Sequence, residues 1–191
     1  MSSSGAAPGA ARPSEQDLLD LATEAAWQAG HLLVAERPAN LQVALTKTSP
    51  TDIVTDMDRR SEESIAAHLL GARPGDGLLG EETGSQGPQG PAPAGQVRWV
   101  VDPIDGTVNY LYGLPHWAVS VAAEASGEVV AGVVYAPILG HTWTATAHGP
   151  ARCDGVPVHA SSVTELDQAL IATGSLRDCS HPDIEVFNEN I

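Results

Sequence analysis

The stretch WVVDPIDGT, residues 99–107, runs an apolar segment straight into Asp102 and Asp105, with only Pro103 and Ile104 between them. Acidic side chains at the end of a buried strand are costly unless something cationic sits there. Pro103 fixes its own φ and stiffens the turn, so the two carboxylates can converge, with the Ile104 carbonyl as a further oxygen ligand. Glu81 and Glu82 follow another short apolar run, and Asp58 stands near the start of a predicted helix. Carboxylates without a His or Cys companion in these segments suit a hard cation such as Mg²⁺, which takes oxygen ligands and keeps several waters. Gly106 permits unusual backbone angles, and the amides of Gly106 and Thr107 can face an anion, as at a helix N-terminus. Cation ligands beside anion-facing amides make a phosphatase layout, in which positioning and charge neutralisation lower most of the barrier.

Each residue also has a plain structural reading. Asp105-Gly106 alone is a common turn, Glu81-Glu82 alone a solvated surface, and Asp58 alone a helix-capping residue. Spacing by itself leaves the metal site and these readings both open.

The elements that must position these groups follow from periodicity. Ser14 and Asp17 form a capping-box pair, and Leu18, Leu21, Ala22, Ala25, Ala29, Leu32 and Leu33 recur at helical spacing, predicting an amphipathic helix to about residue 36. Residues 41–46 read as a short strand. Thr55 and Asp58 form a second capping-box pair, opening a helix with Ile65, Ala66, Leu69 and Leu70 inward and ending at Gly71. GLLGEETG (77–84) reads as a short buried strand running into the glutamates. SQGPQGPAPAGQ (85–96) reads as a mobile loop. From Val97 the runs VRWVV, WAVSVAAEA, VVAGVVYAP, HTWTATAHG and ALIATG read as strands separated by Gly and Pro breaks. Runs this close pair most simply as antiparallel neighbours. The expected class is α+β, two helices on one face of a largely antiparallel sheet.

Composition excludes several functions. The 191 residues carry 24 acidic and 9 basic side chains, a net charge of −15, which argues against nucleic acid and against anionic membranes. Cys153 and Cys179 form no redox or zinc spacing and no disulfide framework, and the first residues lack a secretory pattern. The expectation is a soluble cytoplasmic protein with an N-terminal tail over residues 1–13.

KTSPTDIVTDMD (47–58), GEE (80–82), WVVDPIDGTVNY (99–110), GLPHWAVSVA (113–122) and GVVYAP (132–137) together resemble the inositol monophosphatase family of Mg²⁺-dependent, lithium-sensitive phosphatases. The resemblance implies that Glu81, Asp102 and the Ile104 carbonyl bind a first metal, and that Asp102 and Asp105 bind a second. It implies that Thr107, with Asp58, orients the attacking water, and that the phosphate meets Asp105, Gly106 and Thr107. Glu82 and Lys47 then border the site. In-line attack by metal-activated water on inositol 1-phosphate or a similar small polyol phosphate would follow, without a phosphoenzyme. Histidinol-phosphate and nucleotide bisphosphate phosphatases are the alternatives within the resemblance. The implied fold is layered, α-β-α-β-α, with residues 14–174 matching its N-terminal part; a homodimer is compatible with it.

One departure stands beside the match. Relatives supply a last metal aspartate from a Trp-Asp motif, and none of Trp27, Trp99, Trp117 and Trp143 is followed by Asp. Residues 175–191 show neither helical nor strand period and read as an unmatched tail, with the C-terminal half of the family fold absent. A catalytically impaired fragment retaining partial metal binding is therefore the other functional reading.

Overall fold

The computed structural model describes residues 13–37, 43–46, 53–87 and 95–171, with side chains outside the two short strands 43–46 and 53–55. Lys47, residues 1–12 and the segment 175–191 lie outside the described residues. Helix α1 (Glu15–Ala35) opens on the predicted capping box, with the Ser14 hydroxyl accepting from Asp17 N and the Asp17 carboxylate accepting from Ser14 N. Its buried stripe of Leu18, Leu19, Ala22, Ala25, Ala26, Ala29 and Leu33 is largely alanine, so the helix approaches the sheet closely. Gly30 marks the closest point, where an added Cβ would lie 2.5 Å from the Tyr135 ring.

Helix α2 (Asp56–Ala72) lies alongside α1. Its inward row begins polar, with Asp58, Ser61 and Glu62, and continues apolar, with Ile65, Ala66 and Leu69. Strands β1 (Val43–Thr46) and β2 (Ile53–Thr55) form a separate antiparallel pair.

The main sheet has eight strands: β3 (Gly77–Gly80), β4 (Gly84–Gln86), β5 (Arg98–Asp105), β6 (Ala118–Ala125), β7 (Glu128–Ala136), β8 (His141–Thr146), β9 (Arg152–Cys153) and β10 (Val156–Pro157). Their spatial order is β10-β9-β8-β7-β6-β5-β3-β4. Every neighbouring pair is antiparallel except β3 with β5. Trp99 and Val101 of β5, Val119, Val121 and Ala123 of β6, and Ala131 and Val133 of β7 alternate inward and are buried. Helix α1 packs on β6, β7 and β8, and α2 on β5 and β3. The α+β class expected from the sequence is the one observed.

Asp76, just before β3, ties β3 to β5. Its buried carboxylate accepts from Val97 N and Trp99 Nε1, each at 3.1 Å, and pairs with Arg73. Asp76→Ala strands a buried amide and a buried indole N–H, so a loss of about 3 kcal/mol is expected. A fall in the urea midpoint without a change in slope checks this.

Two expectations fail. Ser85 and Gln86, read as loop, pair in β4 with Leu79 and Leu78, because Gly84 at φ 70° closes a tight return after β3. ALIATG was expected to be a strand, yet residues 169–171 are exposed and belong to none. Among the described residues none pairs with them in a ladder, and residues 172–174 lie outside the described residues. The chain divides into compact units at 1–159 and 160–191; in the second, the described residues carry one 3-10 turn, Leu166–Gln168. Among the described residues, no helix is long and apolar enough to cross a membrane.

Candidate metal centre

The parallel pairing of β3 with β5 builds the acidic cluster. Gly80 is opposite Val101, so the next residues on each strand, Glu81 and Asp102, emerge side by side. Asp105 is brought in by a β-bulge. Asp102 pairs with Ser120 and Asp105 with Ala118, so three steps along β5 match two along β6. In a regular strand residues three apart face opposite ways; the extra residue reverses that parity. Pro103, which has no amide to donate, sits in the irregularity, as proline within a sheet does. Pro103 and Ile104 are both buried, while Asp105 is exposed beside Asp102.

The electrostatics of this cluster call for a cation. Burial, the charges of Glu81 and Asp105, and a hydrogen bond with Glu81 push the Asp102 carboxyl up to about 7. Asp102 Oδ1 is buried without a hydrogen-bond partner. The donors in this region, the Glu81, Asp102 and Asp105 carboxylates and the Ile104 carbonyl, are all oxygens, the kind that suits a hard divalent cation.

The segment after β5 is rigid. Gly106 has φ 93°, and a Cβ there would lie 2.9 Å from the His116 carbonyl oxygen, so both conformation and space require glycine. Helix α3 (Thr107–Tyr112) follows. The Thr107 hydroxyl donates to the Ile104 carbonyl at 3.0 Å, and that carbonyl retains a second lone pair. Asn109 Nδ2 donates to His116 O, and Arg37 donates to the carbonyls of Tyr110 and Leu111. Tyr110 of this helix is fully buried. Its hydroxyl donates to Leu33 O at 3.0 Å and its ring meets Trp117 edge-on. An aromatic in a short helix packed on the core gains more from burial than from lining a loop. Tyr112 is 77% exposed.

Asp58 occupies the first turn of α2, consistent with a capping position, but it is 2% exposed. Its charge acts on the Tyr110 hydroxyl, which burial, foremost, holds at about 12. Ser61, on the same face, donates to Pro103 O at 3.2 Å and sets α2 against the DPID segment. One residue of this site was missed in the sequence: Glu62. It is fully buried, and its carboxylate accepts from Glu82 N at 2.9 Å, from Thr83 N at 3.1 Å and from the Thr83 hydroxyl. Glu62 thereby holds the turn that presents Glu81. The signal was an acidic pair, Asp58 and Glu62, four apart on the same helical face as the apolar Ile65, Ala66 and Leu69. Gly80 has a related reason: a Cβ there would run into the Glu62 carboxylate. Glu82 itself is half-buried.

Known proteins resemble this chain in sequence and in fold. The sequence profile described as "Inositol monophosphatase family" matches residues 14–187. An inositol-1-monophosphatase of Rhizobium meliloti is 39% identical over 160 residues, covering 83% of this chain and 58% of the relative. Among solved structures, the extragenic suppressor protein SuhB of Bartonella henselae is 37% identical with a TM-score of 0.69, covering 77% of this chain and 55% of that one. An IMPase of Thermotoga maritima is 33% identical with a TM-score of 0.67, covering 76% and 54%. The chain thus spans little more than half the length of these relatives. The acidic strand ends, the bulged DPID segment and the profile match together mean that this chain belongs to the inositol monophosphatase family.

Proposed function

We propose that the chain acts as a Mg²⁺-dependent phosphomonoesterase on inositol 1-phosphate or a similar small polyol phosphate, in the cytoplasm. The observation that supports this most is the orphaned Asp102 oxygen, on a carboxylate that the charges of Glu81 and Asp105 both act on. Glu81, Asp102 and the Ile104 carbonyl hold one cation, and Asp105 joins Asp102 at a second. A divalent cation held there supplies Lewis acidity, neutralising phosphate charge and acidifying a bound water. Thr107 has its hydroxyl proton committed to Ile104 O, which leaves its oxygen to accept a hydrogen bond from the attacking water and so orient it. Asp58 supports the same water. The Gly106 and Thr107 amides, with Asp105, meet the phosphate, and Glu82 borders the site. The inositol substrate is favoured by the similarity to the Rhizobium relative, an inositol-1-monophosphatase.

The test is release of inorganic phosphate from inositol 1-phosphate by the 191-residue chain with and without Mg²⁺. Release that needs Mg²⁺ and is lost on adding a chelator is expected. No release from a folded sample overturns the activity. Faster turnover of a nucleotide bisphosphate overturns the substrate.

A further inference from the structure

A second group of ligating side chains lies at the far edge of the sheet. His141 opens β8, Cys153 ends β9, and Asp154 begins the turn to β10. One ligand atom from each lies within 4.8 Å of the others. His141 Nδ1 is 2.7 Å from Asp154 Oδ2, and Cys153 Sγ is 3.7 Å from that same oxygen. The register explains the convergence. Trp143 is opposite Cys153, so Cys153 shares the sheet face of Trp143 and, two residues before it, His141.

The third side chain is aimed by its backbone. Asp154 has φ 51°, an uncommon conformation for a residue with a side chain. Its amide donates to Thr142 O at 2.9 Å, and its Oδ1 accepts from Thr142 N at 2.8 Å. Oδ2 is left facing the imidazole and the thiol. The His141 ring is braced edge-on against Trp143, with centroids 5.5 Å apart.

We propose that His141, Cys153 and Asp154 form a Zn²⁺ site with one open position. Imidazole, thiolate and carboxylate are zinc ligands, and the set is wrong for Mg²⁺. A tetrahedral Zn²⁺ with bonds of about 2.0–2.3 Å separates its ligand atoms by about 3.3–3.6 Å, a spacing bracketed by those observed. On binding, the thiol gives its proton to solvent, and one thiolate with one carboxylate neutralises the ion. The ion links the start of β8 to the β9–β10 turn, where two strands of two residues each close the sheet edge. A nucleophilic thiol is the poorer reading, since burial and the Asp154 carboxylate hold the thiol above its usual value. The site is separate from the carboxylate cluster. Asp102, Ser120, Val134, Trp143 and Cys153 are successive partners across five strands, about 19 Å from end to end at the usual strand spacing.

The test uses reduced, metal-free full chain titrated with Zn²⁺ against a chromophoric chelator, and with Co²⁺ for its thiolate charge-transfer band. Wild type and Cys179→Ser are expected to bind one Zn²⁺ and show the band. Cys153→Ser should lose the band, and both Cys153→Ser and His141→Gln should bind Zn²⁺ at least about tenfold more weakly. Asp102→Asn should bind it as wild type does. Circular dichroism confirms that each variant is folded; if Cys153→Ser is not, His141→Gln and Asp154→Asn decide by the same affinity criterion. A band that persists without the Cys153 thiol, or Zn²⁺ held equally by wild type and His141→Gln, overturns the proposal.

Discussion

Asp102→Asn is expected to make the metal-free chain more stable while removing about a thousandfold of its Mg²⁺-dependent phosphatase activity. The two effects have one cause. Asp102 is crowded by Glu81 and Asp105 in a partly buried position, so its carboxyl is raised to about 7. A carboxyl raised in the folded state binds its proton there more tightly than in the unfolded chain. The stability of the metal-free protein therefore falls as pH rises from about 4 to about 7, and the penalty is fully present above 7. Asparagine carries no charge and removes that penalty. Thermal melts of both chains in chelator should separate at pH 8, with the variant higher, and draw together towards pH 4. If Asp102 were only a surface carboxylate, the melts would coincide at both pH values and activity would persist.

The second large effect is expected at Glu62, which makes no part of the proposed metal shell. Glu62→Ala leaves the amides of Glu82 and Thr83 and the Thr83 hydroxyl without their acceptor. Glu82 is half-buried and Thr83 exposed, so water takes over part of what is lost, and a destabilisation of about 2 kcal/mol follows. The turn carrying Glu81 loosens with it. Partners of this kind set metal affinity by about 10–100-fold, so the Mg²⁺ concentration for half-maximal activity should rise by about that factor in the folded fraction. Glu62→Gln keeps one oxygen acceptor and should lie between the two. Gly80→Ala, which drives a methyl into the same carboxylate, should raise the Mg²⁺ requirement in the same direction. An unchanged Mg²⁺ requirement in folded Glu62→Ala would reduce Glu62 to a purely structural residue.

The sequence made the local parts of this protein readable and left the long-range ones obscure. Helix α1 was legible because its cap and its apolar row are adjacent in the chain, and the residues from Asp102 to Thr107 stood out because an acidic pair after an apolar strand is chemically odd. The parallel pairing of β3 with β5 was not legible. A four-residue GLLG run carries no information about its neighbour, yet that pairing sets Glu81 beside Asp102. Glu62 was hidden for the same reason, since its meaning depends on which turn passes over α2. The burial of Tyr110 was equally hidden, since nothing near it in the chain shows the Leu33 carbonyl that takes its hydroxyl. The His141, Cys153 and Asp154 group joins residues up to thirteen apart through a strand register that only the folded sheet supplies.

The central claim is that Glu81, Asp102 and Asp105 hold a divalent cation in this chain. Calorimetric titration of the metal-free protein with Mg²⁺ at pH 8, beside Asp102→Asn, tests it most directly. Saturable binding by the wild type that is lost in the folded variant is the predicted result. No binding by folded wild-type protein, or equal binding by Asp102→Asn, would contradict it.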